Sequence, residues 1–165
     1  MKKIPMLLLL AAPYLFLAVC AAKGLGGAVF LTWALLCALI FLPNIVYAFI
    51  LPKLGYRGKQ LLFWSLLLKL ANIPVYALVI LIVLLLHIFI LPLVWFLILF
   101  DYSLLLPSSM YGVSGIVACC RDGNLSKDRA AANIIMQFIF CLDVVSAAYC
   151  YVKVRGKYRL QRPPV

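Results

Sequence analysis

The sequence predicts an all-α fold of membrane-spanning helices, and its composition and its apolar runs carry that prediction. Hydrophobic residues make up 68% of the 165 residues and charged residues 12%, with a mean hydropathy of +1.17. Soluble domains are about 45–50% apolar and about 25% charged. Several stretches reach the roughly 20 apolar residues that a bilayer-spanning helix needs. Runs such as Ala77–Leu86 are apolar at every position, whereas strands of a membrane barrel alternate polar and apolar residues.

The amino-terminal part of the chain contains two predicted spans, Ile4–Ala22 and Ala28–Leu51, joined by a short glycine-containing loop. Lys2 and Lys3 precede the first apolar stretch in the charge order of a signal peptide. We interpret this segment as a retained helix. Pro43 lies inside the second predicted span, where a proline frees a backbone carbonyl, so we expect a kink there.

The loop Pro52–Gln60 sets the expected orientation, because it carries Lys53, Arg57 and Lys59. Short loops rich in Lys and Arg remain on the cytoplasmic side. The loop and the amino terminus are therefore predicted to be cytoplasmic.

Residues 61–120 contain no clear loop and leave the number of spans open. The favoured interpretation has a span over Leu61–Leu86, followed by a broken or re-entrant pair, Ile88–Phe100 and Leu104–Cys120, that turns at Asp101–Ser103. The main alternative places two full spans in this region, which gives five spans in all, and six spans are a further alternative. Backbone that is not helical is tolerated at membrane depth where protein buries it or water lines it.

The last predicted span, Ala130–Tyr151, decides between these arrangements through the charged segments on either side of it. With four full spans and the re-entrant pair, Arg121–Arg129 lies outside and the basic tail is cytoplasmic. Five spans would leave that tail outside, against the positive-inside tendency. The domain prediction is a helical bundle over residues 1–152 and a basic cytoplasmic tail over 153–165. The alternation of charge in the tail predicts an extended arm on anionic headgroups, carried by Lys153, Arg155, Lys157, Arg159 and Arg162.

Asp143 is the most informative residue, because a carboxylate inside an apolar run costs a few kcal/mol or more. In one continuous helix, Asn133, Gln137 and Cys141 would share a face through their four-residue spacing. Asp143 would then lie with Ser146 and Cys150 on a second polar stripe, about 120° round the helix. Two polar faces predict a helix in the centre of the bundle. The polar groups either line a hydrophilic path or make hydrogen bonds between helices.

Three other ionisable residues lie in apolar sequence: Lys69, His87 and Asp101. Lys69 is predicted either to pair with Asp143 or Asp101, which avoids an isolated buried charge, or to extend its ammonium to the membrane surface. His87 is the only histidine in the chain, so a multi-histidine metal site is excluded. We interpret it as a hydrogen-bonded helix residue or an interface residue, and a proton relay is the alternative.

A stripe of small residues predicts close helix packing, since small side chains let helix backbones approach. The stripe consists of Ser108, Gly112, Gly115 and Cys119. Its target is either another helix of this chain or a partner subunit.

No motif of an enzyme is present: there is no phosphate-binding loop, zinc signature or dinucleotide fingerprint. The absence of Glu and the single His leave few candidates for acid–base catalysis. The net charge of +11 falls in discrete clusters next to apolar runs, which favours topology and anionic lipid over nucleic acid. We therefore expect no enzymatic activity, no cofactor and no metal.

The leading expectation is an accessory or structural subunit of a membrane assembly, with a partner membrane subunit or a second copy of the chain. One alternative is a small transporter or channel component in which Asp143 and Asp101 line a polar path. A weaker alternative is thiol redox chemistry through Cys119 and Cys120 with Cys141 or Cys150.

The segment Lys69–Tyr76 (KLANIPVY), together with Cys141–Asp143 (CLD), resembles small uncharacterised multi-spanning proteins of Gram-positive bacteria. The resemblance implies a multi-pass protein of a bacterial cytoplasmic membrane. It implies no activity.

Overall fold

The computed structural model describes residues 3–24, 26–86, 91–139 and 141–160, and within these ranges every regular element is a helix. The all-α prediction is therefore confirmed. The α-helices of this described part are α1 (Ile4–Lys23), α2 (Gly27–Leu36), α3 (Leu42–Ile50), α4 (Gly58–Leu86), α5 (Leu91–Arg121), α6 (Lys127–Met136) and α7 (Leu142–Leu160).

Four stretches of helix are long and apolar enough to cross a membrane: Ile4–Ala22, Val29–Ile50, Gly58–Ile82 and Trp95–Arg121. The first three coincide closely with the predicted spans. Their exposed surfaces carry many large aliphatic and aromatic side chains, as expected of helices that face lipid.

The fourth stretch corrects the favoured prediction for residues 88–120. Helix α5 runs without interruption through Asp101–Ser103, so the predicted turn and re-entrant pair at this place are wrong. Asp101 is only 6% exposed. The protein therefore covers its carboxylate within the continuous helix. Ser103 Oγ donates to the carbonyl of Phe100 at 2.6 Å, a bond made within the helix.

The predicted disturbance at Pro43 takes the form of a π-helical segment. Residues Cys37–Phe41 connect α2 to α3, and Pro43 is the second residue of α3. Asn44 Nδ2 donates to the carbonyl of Ile40 at 2.9 Å. Pro43 has no N–H to donate, so the helix is irregular here, and the Asn44 side chain adds a hydrogen bond to a backbone carbonyl of the same stretch.

The chain divides into two compact units, and the first comprises Met1–Ile45 and Ala71–Pro107. Here α1 packs on α5 through Phe16 and Phe100, whose rings stack with centroids 4.6 Å apart. The indole N–H of Trp33 on α2 donates to Ser103 Oγ at 3.4 Å.

The second unit comprises Val46–Leu70 and Ser108–Val165, and its α4 and α5 approach backbone to backbone. A Cβ built on Gly58 would lie 2.9 Å from the carbonyl oxygen of Gly115, and one on Gly115 would lie 3.0 Å from the backbone N of Leu62. Real Cβ atoms essentially never come within 3.0 Å of other heavy atoms. A residue without a Cβ is therefore needed at Gly58, and a Cβ at Gly115 would be tighter than nine in ten real Cβ contacts.

A hydrophobic cluster shows how the last two helices lie in this unit. The cluster contains residues from the start of α4, the end of α5, the start of α6 and the later part of α7. Its buried members are Leu62, Ile116, Cys119, Leu125, Ala130, Cys150 and Val154. Helices α6 and α7 therefore begin and return at one end of the α4–α5 pair.

The same end of the unit contains both basic segments. Lys53 and Arg121 line one cavity, so the loop that contains Lys53 and the segment that begins at Arg121 are neighbours. The favoured prediction separated them, with Arg121–Arg129 outside, and it is wrong on this point. The error follows from the turn predicted at Asp101–Ser103. That turn would return the chain to the side from which it entered, whereas the continuous α5 carries it to the opposite side.

The basic tail also differs from its prediction, because α7 continues to Leu160 in place of an extended arm. Val154 is fully buried, one helical turn after the buried Cys150, and this packing extends the helix. Lys153 Nζ lies 2.7 Å from the hydroxyl of Tyr149, a contact that the i, i+4 spacing of a helix creates.

The glycine contact generates a test of the fold. Gly58→Ala should destabilise the protein by about 1–3 kcal/mol, because the added methyl group would lie 2.9 Å from the carbonyl oxygen of Gly115 and overpack a contact with backbone atoms. The control is Gly156→Ala, also helical, where nothing lies within 4 Å of the new Cβ. Thermal unfolding in detergent micelles measures both. Equal melting temperatures for the two variants would contradict the close approach.

Candidate functional site

The most unusual feature of the second unit is the break between α6 and α7. Helix α6 ends at Met136 and α7 begins at Leu142, so the predicted single span Ala130–Tyr151 is wrong. Cys141 has φ of 67°, in the left-handed region that non-glycine residues seldom adopt. No Gly or Pro lies between Ala130 and Tyr151, which is why the usual sequence signals of a break were missing.

A buried salt bridge stands beside this break. Lys69 Nζ on α4 lies 2.9 Å from Asp143 Oδ2 on α7, and the two side chains are 0% and 3% exposed. The pairing of these two residues was one of the sequence-based alternatives. The alternative prediction for Lys69 was an ammonium that extends to the membrane surface. That prediction does not fit, because the side chain of Lys69 is completely buried.

The depth of the pair follows from its position along α4. Lys69 is eleven residues after Gly58, where α4 begins, which corresponds to about 16 Å at 1.5 Å per residue. The hydrocarbon core of a bilayer is about 30 Å thick. The charges therefore lie about halfway along a membrane-spanning helix.

Ser109 on α5 joins the salt bridge to the break. Its Oγ accepts a hydrogen bond from Lys69 Nζ at 3.1 Å and donates to the carbonyl of Gln137 at 2.6 Å. Gln137 is the residue directly after α6, at its carboxyl end, where carbonyls lose their helical partners. One hydroxyl thus satisfies both the ammonium and an open backbone group.

The position of Asp143 in α7 adds a second favourable interaction for its carboxylate. Asp143 lies in the first turn of this helix, where the partial positive charge of the helix dipole stabilises an anion. Its backbone N–H donates to the carbonyl of Ile139 at 3.0 Å. The break therefore places the carboxylate between a lysine and a helix amino terminus.

The two polar stripes of the sequence prediction lie on different helices and face each other. Ser146 Oγ is 3.0 Å from Asn133 Oδ1, and Gln137 Nε2 donates to Ser146 Oγ at 3.4 Å. The predicted separation of about 120° on one helix is wrong, because the chain folds back at the break. Cys141, predicted to share a face with Asn133, is exposed at the turn.

The stripe of small residues packs inside the chain. Ser65 Oγ on α4 donates to the carbonyl of Ser108 at 3.0 Å. A Cβ on Gly112 would lie 2.7 Å from Gln137 Oε1, so this glycine makes room for the end of α6. Gly115 and Cys119 contact the first turns of α4. Of the two targets left open, the structure places this stripe against helices of the same chain.

Asp101 belongs to the first unit, which also buries Asn72, a polar residue that the sequence prediction did not include among the site residues. Tyr14 on α1 donates to the carbonyl of Ala71, and Phe16, two residues later, stacks on Phe100. The residues that follow, Asn72 and Asp101, therefore lie at about the same level of this unit. Both are buried, at 3% and 6% exposure, and Asn72 Oδ1 and Asp101 Oδ1 have no hydrogen-bond partner in the part of the chain that the structure describes.

Two predicted residues, His87 and Arg162, lie outside the described residues. In the basic tail, Arg155 and Lys157 are exposed and Lys153 is partly buried against Tyr149. The side chain of Arg159 also lies outside the described part.

The cysteines of the thiol hypothesis are free. Cys119 and Cys150 are buried in the hydrophobic cluster defined above, while Cys141 is exposed and Cys120 is partly exposed. Over residues 3–24, 26–86, 91–139 and 141–160, no group of three or more His, Cys, Asp or Glu side chains is placed to hold a metal ion.

The helices and this buried polar site define a membrane protein of α-helices. Its last apolar segment is divided into α6 and α7, and a buried salt bridge lies beside the division. The chain belongs to a family of unknown function (DUF6652), whose model matches residues 3–156. Neither a curated protein nor a solved structure matches the chain.

The salt bridge generates the test of this site. Asp143→Asn should destabilise the protein by about 3–5 kcal/mol, because it leaves the buried ammonium of Lys69 without a counter-charge. Replacing both charges, as Lys69→Met with Asp143→Leu, should recover most of that loss. Chemical or thermal unfolding in micelles measures each variant. Asp128→Asn, an exposed aspartate in the first turn of α6, serves as the control, and a loss there equal to that of Asp143→Asn would contradict a special role for the pair.

Proposed function

We propose that the protein is a non-enzymatic integral membrane protein that acts as an accessory or structural subunit of a membrane assembly. The observation that carries this proposal is the burial of Lys69 and Asp143 against each other. A transport site must exchange its ligand with water, and these charges are 0% and 3% exposed. A buried pair with hydrogen-bonding neighbours is the arrangement expected of a structural connection between helices.

The proposed location is a bacterial cytoplasmic membrane, with both termini in the cytoplasm. Four spans return the chain to its starting side, and α6 and α7 then enter the membrane and leave it on that same side. This arrangement puts every basic cluster on one face, as the positive-inside tendency requires. The resemblance to multi-pass proteins of Gram-positive bacteria supports the choice of membrane.

The proposed partners are anionic lipid headgroups, which the basic end of α7 contacts, and a membrane subunit or a second copy of this chain. Arg155 and Lys157 are exposed in the described part of that helix, and each basic residue near an anionic surface contributes about 1 kcal/mol. The proposal includes no nucleic acid and no cofactor.

The double replacement Lys69→Met with Asp143→Leu tests the structural role. If the charges only connect helices, this variant should accumulate in membranes and migrate in mild detergent at the same particle mass as the wild type. Asp143→Asn should lower the amount of that particle. A double variant that assembles normally but loses a membrane phenotype of the wild type would contradict the proposal.

A second candidate function, a small transporter or channel component, is favoured by Asp101. Its buried Oδ1 has no hydrogen-bond partner among the described residues, unlike the paired carboxylate of Asp143. An ionisable residue at membrane depth is by default a candidate for a proton or cation path, and Asp101, although only 6% exposed, keeps one carboxylate oxygen that no described group occupies.

Proteoliposomes with a pH-sensitive dye inside test this second candidate. A transport role predicts proton or cation flux through the wild type and at least about a tenfold loss in Asp101→Asn, because the amide cannot carry the proton. The exposed Asp128→Asn is the matched control. An absence of flux in the wild type, or equal flux in Asp101→Asn, would exclude a relay at Asp101.

A further inference from the structure

A cavity of about 170 Å³ opens in the second unit where α3 and α5 end. Lys53 and Arg121 line it, and Phe49, Pro52 and Val117 form much of its apolar wall. This cavity is separate from the buried network of Lys69 and Asp143.

The position of the two cations matches the boundary between hydrocarbon and water. Lys53 follows the span Val29–Ile50 by three residues, and Arg121 is the last residue of the span Trp95–Arg121. Phe49 and Val117 lie within those spans. The cavity is therefore basic at the end of the helices and apolar towards their middle.

The two cations are available to a ligand. Both side chains are exposed, and within the described residues neither forms a salt bridge with a carboxylate. The segments around them are strongly basic, since residues 52–60 and 121–129 contain six Lys or Arg against two Asp: Lys53, Arg57, Lys59, Arg121, Lys127 and Arg129 against Asp122 and Asp128.

We propose that this cavity binds the phosphate of an anionic phospholipid headgroup, with the adjoining part of the lipid chains against Phe49 and Val117. An Arg guanidinium binds phosphate oxygens in pairs, and a Lys ammonium adds a point charge. The cavity volume of about 170 Å³ is several times the roughly 30 Å³ that a water molecule takes in the liquid, so the cavity admits a group larger than water. Basic pockets between membrane helices bind anionic lipid headgroups in this way.

Binding of a fluorescent phosphatidylglycerol to the full-length protein in neutral detergent micelles tests the site. The double variant Lys53→Gln with Arg121→Gln should bind about ten to thirty times more weakly than the wild type, because it removes both phosphate contacts. The matched control, Lys127→Gln with Arg129→Gln, removes two exposed charges from the same region outside the cavity wall. It should change binding less than about threefold. Equal losses in the two double variants would overturn the site in favour of general surface charge.

A second variant tests the cavity without changing charge. Ala118 lines the cavity, and Ala118→Phe should fill it and reduce phosphatidylglycerol binding at least about tenfold while both cations remain. Two competitors then identify the ligand. Phosphatidylcholine and millimolar inorganic phosphate should each displace the fluorescent lipid poorly, because one lacks net negative charge and the other lacks apolar chains. Displacement by phosphatidylcholine as effective as by phosphatidylglycerol, or by inorganic phosphate alone, would overturn an anionic lipid site. Unchanged binding in Ala118→Phe would do the same.

Discussion

The ion pair between Lys69 and Asp143 is the interaction on which the second unit depends. Two charges at the depth of a membrane interior are costly separately and tolerable only together. Their contact fixes α7 against α4, and Ser109 extends the contact to the end of α6. Since Ser109 is on α5, the pair and this hydroxyl connect four helices, α4 to α7, beside the turn between α6 and α7.

The break between α6 and α7 follows from the same requirement. A continuous helix over residues 130–151 would present polar groups on two sides, and lipid would satisfy neither. The chain instead folds back, so that Ser146 meets Asn133 and Gln137, and the carboxylate lies at a helix amino terminus. Gly112 provides the space for the side chain of Gln137, and Gly115 lets α4 approach α5 closely. The pairing of Lys69 with Asp143, the hydrogen bond to the carbonyl of Gln137 and the packing of Gln137 against Gly112 therefore all depend on the turn between α6 and α7.

Composition and apolar run length were sufficient to predict the helical class and the first three spans, since both follow from the thickness of a bilayer. The same criterion failed at Ala130–Tyr151, because an apolar run of about 20 residues does not reveal whether a helix crosses the membrane or folds back. The contact of Lys69 with Asp143 could be anticipated as an alternative, because a buried charge requires a partner. The turn between α6 and α7 could not, since no Gly or Pro marks it and a hydrogen bond from Ser109 to the carbonyl of Gln137 stabilises it. One available signal was Asp143 itself, because an acidic residue is typical of the first turn of a helix.

Sidedness labelling of α6 and α7 tests the central claim most directly. In a variant without native cysteines, single cysteines at Asp128 and Lys157, both exposed, would be treated with a membrane-impermeant maleimide in sealed vesicles of known orientation. A helical pair that folds back around the Lys69–Asp143 contact predicts that both positions react from the same side. Reaction from opposite sides would mean that residues 130–151 cross the membrane as one span, and it would contradict the account.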